Sequence, residues 1–179
     1  MIAGQAGATA VCPLFCTMEK VQVIHPFPPV ADGECRWLVL GSFPSVKSRE
    51  NAFYYGHPQN RFWRVLAAVC GEAVPCTVEE KTVFLLGHHI ALWDVIQSCE
   101  IVGSADTSIR NAVPNDLPGL LANCPVQRIL LNGKAAERIY LKYWQHLPVP
   151  HGTMPSTSPA NAAWSLERLT EVWKKRLEW

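Results

Sequence analysis

The sequence predicts an α/β fold: a three-layer αβα sandwich in which helices cover both faces of a central, mostly parallel sheet. Two patterns support this prediction. Residues 37–40 form a continuous apolar run that ends at Gly41, as expected of a strand buried on both faces. Further along the chain, short apolar runs alternate with segments whose apolar residues recur at helical spacing, which is typical of repeated strand–helix units.

The other elements follow in chain order. Residues 62–70 carry apolar side chains at helical spacing, and Thr77, followed closely by glutamates, begins a helix that ends at Gly87. We expect a second strand over residues 90–96, and we expect residues 98–116 to form a long polar loop of functional importance. The pattern then predicts a helix over 117–123, a strand over 129–131, a helix over 134–146, a short strand that ends at Met154, and a last helix that Asn161 caps and that ends at Leu177.

The length and composition fit one domain. The chain has 179 residues, of which 49% are hydrophobic, enough to form a sizeable core. We assign residues 18–179 to this single domain. Residues 1–17 are small and apolar without any period, so we expect them to form a flexible extension or to reflect a mis-assigned start.

The charge and the cysteine content of the chain indicate how it could bind a partner such as DNA and which cellular compartment suits it. Charged residues make up only 17% of the chain and the formal net charge is +1, so contacts to DNA would need a local patch or neutral donors. No apolar run approaches the roughly 18 residues of a membrane span, and the start lacks the basic region of a secretory signal. The seven scattered cysteines suit reduced thiols in the cytoplasm.

The sequence indicates neither a metal site nor a cofactor. Cys12 and Cys16 are spaced as C-x3-C, but no second close pair follows, so free thiols are the favoured interpretation. The histidines and cysteines do not form the H-x-E and C-x-x-C pattern of a zinc deaminase. The chain also lacks GxGxxG and GxxxxGKS/T segments, which makes a nucleotide-binding α/β protein with unrelated chemistry a weak alternative.

Polar residues follow three of the predicted strands, at the edge where a parallel sheet binds its ligands. These segments are residues 41–45, 132–133 and 155–161. Gly41 permits a tight turn, and Asn60 stands where the next helix begins, a position that suits an N-cap. On composition alone, a purely structural strand–turn–helix explains the first segment as well as a binding site does.

Three motifs make the sequence recognisable. HPQNRFW at residues 57–63 after GSFPS, ILLNGKAAERIY at 129–140 and MPSTSPAN at 154–161 resemble, in order and spacing, segments of the mismatch-specific uracil/thymine-DNA glycosylases. The LWDV, SCE, GSAD, PND and LNG segments are more similar to the hypoxanthine-DNA glycosylase (DNA-deoxyinosine glycosylase) branch of the uracil-DNA glycosylase superfamily. The resemblance extends over roughly residues 20–175.

This resemblance implies a uracil-DNA glycosylase-like fold and a monofunctional DNA glycosylase in base excision repair. The enzyme would hydrolyse the N-glycosidic bond of a deaminated base, with hypoxanthine as the expected base. Its partner would be double-stranded DNA, with single-stranded DNA left open, and it would act as a monomer without cofactor or metal. One alternative is activity on uracil opposite guanine, or on xanthine. Another is a non-catalytic module that binds damaged DNA.

The resemblance places the catalytic asparagines at Asn60 and Asn132. An amide can hold a water and donate to a base edge without a pKa near neutrality, which suits hydrolysis through an oxocarbenium-like state. Which of the two holds the water stays open, and Asn132 alone would also suit a turn before Gly133. The mismatch-specific enzymes position water with an asparagine in the first loop, whereas this chain has Phe43 there.

A base that leaves the duplex needs an aromatic surface and a pocket. Tyr55 aligns with the stacking phenylalanine of the mismatch-specific enzymes. We expect Phe43, Gly41 and Ser42 to complete the base pocket. Of the neighbouring pair Tyr54 and Tyr55, we expect one to serve packing only.

Residues expected to contact DNA surround this pocket. They are Ser45, His57, Lys134, Ser156, Ser158 and Asn161. Hydroxyls at a helix N-terminus bind phosphate, which supports Ser156 and Ser158, although Ser158 is a poor wedge for the gap left by a flipped base. His57 could instead satisfy local backbone groups. Lys134 could lie near phosphate or act as a Schiff-base nucleophile.

Two carboxylates and a histidine near these motifs have open roles. Asp94 and Asp106 could act as general bases; alternatively, the first could anchor a loop and the second could order the segment 98–116. His151 lies just before the third motif, close to the expected site.

Overall fold

A computed structural model describes residues 21–103 and 105–177. Its strands are β1 (Val21–Ile24), β2 (Trp37–Gly41), β3 (Ile90–Asp94), β4 (Ile96–Ile101), β5 (Arg110–Pro114), β6 (Arg128–Asn132) and β7 (His151–Met154). Its α-helices are α1 (Val46–Glu50), α2 (Phe62–Cys70), α3 (Val78–Gly87), α4 (Leu117–Asn123), α5 (Lys134–Trp144) and α6 (Leu166–Arg176), and one 3-10 turn spans Asp106–Ser108. The predicted extension over residues 1–17, with Cys12 and Cys16, lies outside the described residues.

A four-stranded parallel sheet forms the centre, in the order β3-β2-β6-β7. Strand β2 lies between β3 and β6, with Leu38 paired to Ala91 on one side and to Ile129 on the other. These three residues are fully buried, because a parallel strand in this position is covered on both faces. The predicted parallel sheet is therefore confirmed.

Alternate residues of each strand face opposite sides of the sheet and enter two separate cores. Val39 packs with the side chains of α2, α3 and α6 on one side, including the fully buried Trp173. Leu38 and Leu40 pack on the other side with strand β4 and with α5, whose Tyr140 is fully buried. The predicted three-layer arrangement is thus confirmed, with the addition that β4 covers part of the second face.

The predicted strand over 90–96 and the predicted loop over 98–116 are wrong in detail. Strand β3 ends at Asp94, and β4 and β5 form an antiparallel three-stranded sheet with β1, in the order β1-β4-β5. An antiparallel sheet can leave one face in water, so its strands carry polar residues and resemble a loop in sequence. Irregular register between β4 and β5 further weakened the alternating pattern.

Some of the helix ends predicted from capping residues are confirmed and others are wrong. Thr77 and Glu80 form the capping box expected at the start of α3. The last helix, however, begins at Leu166 with Ser165 as its N-cap, so the prediction that Asn161 caps it is wrong. Helix α5 ends at Trp144, two residues earlier than expected. Across the described chain, no helix is long and apolar enough to span a membrane.

Candidate active site

The ends of the parallel strands enclose one cavity, as expected from the position of the motifs. Nine of the residues predicted to form the site line it: Gly41, Ser42, Phe43, Ser45, Tyr55, Asn60, Asn132, Ser156 and Ser158. The wall also contains Asp94, Asp106 and Thr157. The loop after β2, the loop after β6 and the loop after β7 therefore meet at one place, although they lie far apart along the chain.

The other three predicted residues lie in grooves beside the cavity. His57 lines a groove on one side, where its ring Nδ1 accepts a hydrogen bond from the Gln59 backbone N–H. Lys134 and Asn161 line a groove on the other side. The Lys134 ammonium lies 2.7 Å from Glu137 Oε2, and its side chain is 84% exposed, so it does not enter the cavity as a Schiff-base nucleophile would.

Asn60 lies at the start of α2 and is oriented by it. Its Oδ1 accepts a hydrogen bond from the Phe62 backbone N–H at 3.0 Å, although the residue directly before the helix is Arg61. Since a backbone N–H can only donate, the amide orientation is fixed. Within the described part of the chain the Nδ2 group has no partner, so Asn60 presents N–H donors to the cavity.

Asn132, the last residue of β6, is held on both sides by Thr157. Its Oδ1 accepts from the Thr157 backbone N–H at 3.1 Å, and its Nδ2 donates to the Thr157 hydroxyl at 3.0 Å. The orientation of this amide is therefore also fixed. Because Thr157 occupies the edge between Oδ1 and Nδ2, the remaining lone pair of Oδ1 and the remaining hydrogen of Nδ2 point in different directions. The amide also lies close enough to the Tyr55 hydroxyl to lower the pKa of that group. Thr157 is fully buried and was not singled out from the sequence.

Arg61 connects the second motif to the third. Its guanidinium donates to the backbone carbonyls of Ser158 at 2.6 Å and Asn161 at 3.0 Å, and also to that of Trp164. Its backbone N–H donates to the Thr157 carbonyl at 3.1 Å. The loop after β7 is thus held from outside the cavity by Arg61 and from inside by Asn132. This role of Arg61 could not be inferred from the sequence.

Tyr55 forms an aromatic wall. Its ring stacks on Phe62 with centroids 3.9 Å apart. Its backbone φ is 52°, a left-handed conformation that costs roughly 1–2 kcal/mol for a residue with a Cβ. Its hydroxyl is buried without a hydrogen-bond partner in the described chain. Burial, followed by the nearby charge of Asp94, raises the pKa of Tyr55, so the hydroxyl stays a donor. Tyr54 is buried and serves packing, with its hydroxyl bound to the Pro28 carbonyl.

Gly41 and Phe43 shape the floor of the cavity. A Cβ at Gly41 would overlap Asp94 Oδ1 and lie 3.0 Å from the Tyr55 hydroxyl, so only glycine leaves room for these groups. Phe43 is buried, and its ring packs edge-on against His25 with centroids 6.0 Å apart. A Phe at this position supplies apolar area and cannot hold a water.

A buried pair, His25 and Asp94, stands behind this floor. Their side chains are 2% and 6% exposed, and Nε2 of the histidine lies 2.9 Å from Oδ2 of the aspartate. The other ring nitrogen lies 2.8 Å from the Phe27 carbonyl and must donate to it. One proton is therefore shared between Nε2 and Oδ2, and Asp94 is anchored. Sequence reasoning did not find His25, which precedes the recognisable motifs.

Asp106, in the 3-10 turn, brings a second carboxylate to the cavity. Its Oδ1 accepts a hydrogen bond of 2.7 Å from the Ser42 hydroxyl. Loss of water contact raises the pKa of Asp106, and the charge of Asp94 raises it further. Asp94 and Asp106 therefore face the same space from different elements. No group of three or more His, Cys, Asp or Glu in residues 21–103 and 105–177 has the arrangement of a metal site.

The serines around the cavity organise backbone as well as line it. Ser45 caps α1 by accepting from the Ser48 N–H at 3.2 Å. Ser156 accepts from the Ser158 N–H at 3.2 Å. Asn161 Nδ2 donates to the Ser156 carbonyl at 2.8 Å, which fixes the loop rather than a helix end. His151 is exposed at the start of β7, and its ring packs on Tyr140 with centroids 4.8 Å apart, away from the cavity.

Comparison with known proteins agrees with this geometry. A family model described as the uracil DNA glycosylase superfamily matches residues 28–177. A hypoxanthine DNA glycosylase of Methanosarcina acetivorans is 35% identical over 147 residues, which cover 81% of this chain and 92% of the relative. A hypoxanthine DNA glycosylase of Methanosarcina barkeri is 36% identical over 110 residues, which cover 60% of this chain and 70% of the relative.

A solved structure shares the fold. The solution NMR structure of a candidate uracil DNA glycosylase from Methanosarcina acetivorans superimposes with a TM-score of 0.75 at 34% sequence identity. The superposition covers 87% of this chain and 97% of that protein. The arrangement of sheet and helices around the cavity is therefore one that a solved protein also adopts.

Proposed function

The chain is a DNA glycosylase of the uracil DNA glycosylase superfamily, and we propose that it is monofunctional and removes hypoxanthine from deoxyinosine in DNA. The observation that carries this proposal is the meeting of Asn60, Asn132 and Tyr55 in one cavity at the strand ends. Two relatives that bear the name hypoxanthine DNA glycosylase support the choice of base. The substrate is double-stranded DNA from which the base is flipped, because a stacked base cannot reach the cavity.

Asn132 is suited to read the edge that deamination creates. Hypoxanthine presents an N–H donor beside a carbonyl acceptor, whereas adenine presents a ring-nitrogen acceptor beside an amino donor. With Thr157 bound along the edge of the amide between Oδ1 and Nδ2, Asn132 keeps an acceptor site on the other side of Oδ1, which suits the N–H of hypoxanthine. Adenine would place its ring-nitrogen acceptor against this acceptor, and buried polar groups left unpaired are strongly unfavourable.

Asn60 is suited to stabilise the departing base. Its free N–H donors face the cavity, and a purine that leaves as an anion carries its charge on the ring nitrogens and the carbonyl oxygen. A fixed donor aimed at developing charge stabilises the transition state more than the ground state. This assigns the base edge to Asn132 and the leaving-group charge to Asn60, which the sequence left open.

The surfaces around the cavity suit a flipped nucleotide. Tyr55 offers the stacking face and Phe43 adds apolar area, while Ser156 and Ser158 stand where the DNA backbone would pass. We also propose that the enzyme acts as a monomer in the cytoplasm. Five cysteines in the described chain are free thiols, as in proteins of reducing compartments.

The test compares labelled duplexes that carry one deoxyinosine, uracil or xanthine, with abasic sites cleaved by alkali. Wild type should release hypoxanthine, and Asn60→Ala and Asn132→Ala should each lose about 100-fold or more in single-turnover rate. Asn123→Ala is the matched control, because its amide binds only the Gly119 carbonyl on α4. Release of uracil alone would refute hypoxanthine as the base. Binding of inosine DNA without any release would favour a damage-binding module.

A further inference from the structure

The Asp106 carboxylate has a position that the proposed roles of Asn60 and Asn132 do not use. It lines the cavity, and the Ser42 hydroxyl holds Oδ1 at 2.7 Å. Within residues 21–103 and 105–177, Oδ2 has no hydrogen-bond partner. The residue reaches this place from the 3-10 turn between β4 and β5, and Ser42 belongs to the loop after β2. Two separate elements thus aim one carboxylate into the cavity.

A carboxylate at this place weakens the binding of DNA, and a role in the reaction would account for its presence there. DNA phosphates approach the mouth of the cavity, and a negative charge there opposes binding. Glycoside hydrolysis, in contrast, passes through an oxocarbenium-like state whose positive charge a carboxylate stabilises, and it requires a base for the attacking water. Phe43 occupies the first loop, so no polar side chain at that position can serve the water.

We propose that Asp106 is the catalytic carboxylate of this glycosylase: it binds the attacking water, accepts its proton and stabilises the oxocarbenium-like sugar. Ser42 acts as the positioning residue that directs Oδ2 toward the sugar. The inference rests on the proposed function only in requiring a hydrolytic glycosylase, because the carboxylate acts on water and sugar rather than on a particular base.

The bond between C1′ and the base nitrogen breaks, and its electron pair leaves with the base. The water oxygen forms a bond to C1′, and one water proton passes to the Asp106 carboxylate. The proton on Asp106 then returns to the departed base anion, directly or through solvent, which regenerates the carboxylate. The products are the neutral base and an abasic site with a hydroxyl on C1′.

The groups around Asp106 shift the pKa of its carboxyl, which determines how readily it accepts a proton. Burial raises the pKa of its carboxyl, the Ser42 hydrogen bond lowers it, the Asp94 charge raises it and the Arg138 guanidinium lowers it. Tyr55 also faces it, with a raised pKa of its own that keeps the phenol neutral. A base with a raised pKa accepts the water proton more readily, provided that it is ionised at the working pH.

The decisive variant is Asp106→Asn, which keeps the size of the side chain and the ability to accept from Ser42. We expect its single-turnover rate to fall by about 100-fold or more, the contribution of a general base. Its affinity for a deoxyinosine duplex should stay equal or increase, because a charge that repels phosphate is removed. Glu100→Gln, on β4 with its side chain bound to Asn111, removes the same charge outside the cavity and should keep the wild-type rate.

The pH profile separates a chemical role from a structural one. The wild-type single-turnover rate should fall as the pH is lowered through the raised pKa of Asp106, because the base must be ionised, and this limb should be absent in Asp106→Asn. Formate should partly restore Asp106→Ala. A rate within threefold of wild type, or a loss accompanied by lost DNA binding and a lower melting temperature, would overturn the proposal.

The same measurements distinguish this proposal from the choice of base. If wild type releases uracil instead of hypoxanthine, the proposed base is wrong, and the Asp106 variants are compared on the uracil duplex. The expected loss is unchanged there, because C1′ and the water are the same in both substrates. An undiminished rate on whichever duplex is cut would overturn the role of Asp106 alone.

Discussion

At the scale of single residues, the site depends on amides whose orientation is fixed by neighbours. An unrestrained asparagine can rotate its amide and offer either a donor or an acceptor at a given point. Thr157 removes this freedom from Asn132 by donating with its backbone N–H and accepting with its hydroxyl. If Asn132 reads the base edge as proposed, discrimination between a deaminated base and its parent requires Thr157 as well as Asn132.

Replacing Thr157 with Val tests this dependence. The variant keeps the shape and the backbone N–H but loses the acceptor for Asn132 Nδ2, so the amide becomes free to rotate. We expect the rate on deoxyinosine to fall by about 10-fold, equivalent to one lost hydrogen bond of about 1.4 kcal/mol. Single-turnover assays measure this loss, and thermal unfolding should show a change of only a few degrees.

The matched control is Thr170→Val, whose hydroxyl donates only to the Leu166 carbonyl within α6. This variant should keep the wild-type rate. Equal rates for Thr157→Val and wild type would show that Asn132 needs no such restraint, and would contradict its proposed role in reading the base edge.

The sequence pointed to the cavity-lining residues that lie inside motifs, and missed those defined by contacts between distant segments. Asn60, Asn132 and Tyr55 were found because each stands in a recognisable segment next to a predicted strand or helix end. His25 was missed because its partner, Asp94, lies 69 residues away and becomes a neighbour only through the pairing of β1 with β4. Asp106 was noticed, but its contact with Ser42 could not be inferred from spacing.

At the scale of elements, one arginine connects two motifs that the sequence shows only as separate. Arg61 precedes α2 and donates to carbonyls of the loop between β7 and α6, which carries Ser156 and Thr157. Such a loop has few regular backbone partners of its own, so its carbonyls need donors from elsewhere. Arg suits this task because its planar guanidinium presents several donors in a fixed arrangement.

Substitution of Arg61 by Lys keeps the charge but not this arrangement. We expect the free energy of unfolding to fall by about 2 kcal/mol, because at least one carbonyl loses its donor. The rate should also fall by about 10-fold, since Thr157 is no longer held in the position in which it binds Asn132. Denaturant unfolding and single-turnover assays measure the two effects. Arg36→Lys, an exposed change before β2, should alter neither, and a wild-type rate in Arg61→Lys would contradict the proposed restraint.

Strands that are buried on both faces were easier to predict from the sequence than strands that are half exposed. The strands of the parallel sheet were visible because burial on both faces produces continuous apolar runs, as in β2 and β6. Strands β4 and β5 were mistaken for a loop, since a half-exposed antiparallel pair with irregular register contains polar and apolar residues in no strict order. The same pair carries Asp106 to the cavity, so the misread segment also holds a carboxylate whose place in the site could not be inferred from the sequence.

At the scale of the whole molecule, the strand–helix alternation indicates the parallel sheet, and the strand order β3-β2-β6-β7 brings the three motifs together at one edge. Overall charge, in contrast, contributes little to DNA binding, because the net charge is +1. Binding must therefore depend on a few local cations. Arg64 and Lys81 line the groove on one side of the cavity, and Lys134 lines the groove on the other side.

Three local cations predict a shallow salt dependence of DNA binding. Each neutralised phosphate contributes about −0.9 to the slope of log affinity against log salt concentration, so a deoxyinosine duplex should give a slope of about −3. Lys134→Gln should reduce the magnitude of this slope by about one unit, because its side chain is 84% exposed and available to phosphate. Fluorescence anisotropy at several salt concentrations measures both slopes. Lys142→Gln, near the end of α5, changes a lysine that lines neither groove and whose ammonium lies over the Tyr143 ring, so it should leave the slope unchanged. A wild-type slope of about −6 or steeper would contradict the prediction, because it would require phosphate contacts well beyond these two grooves.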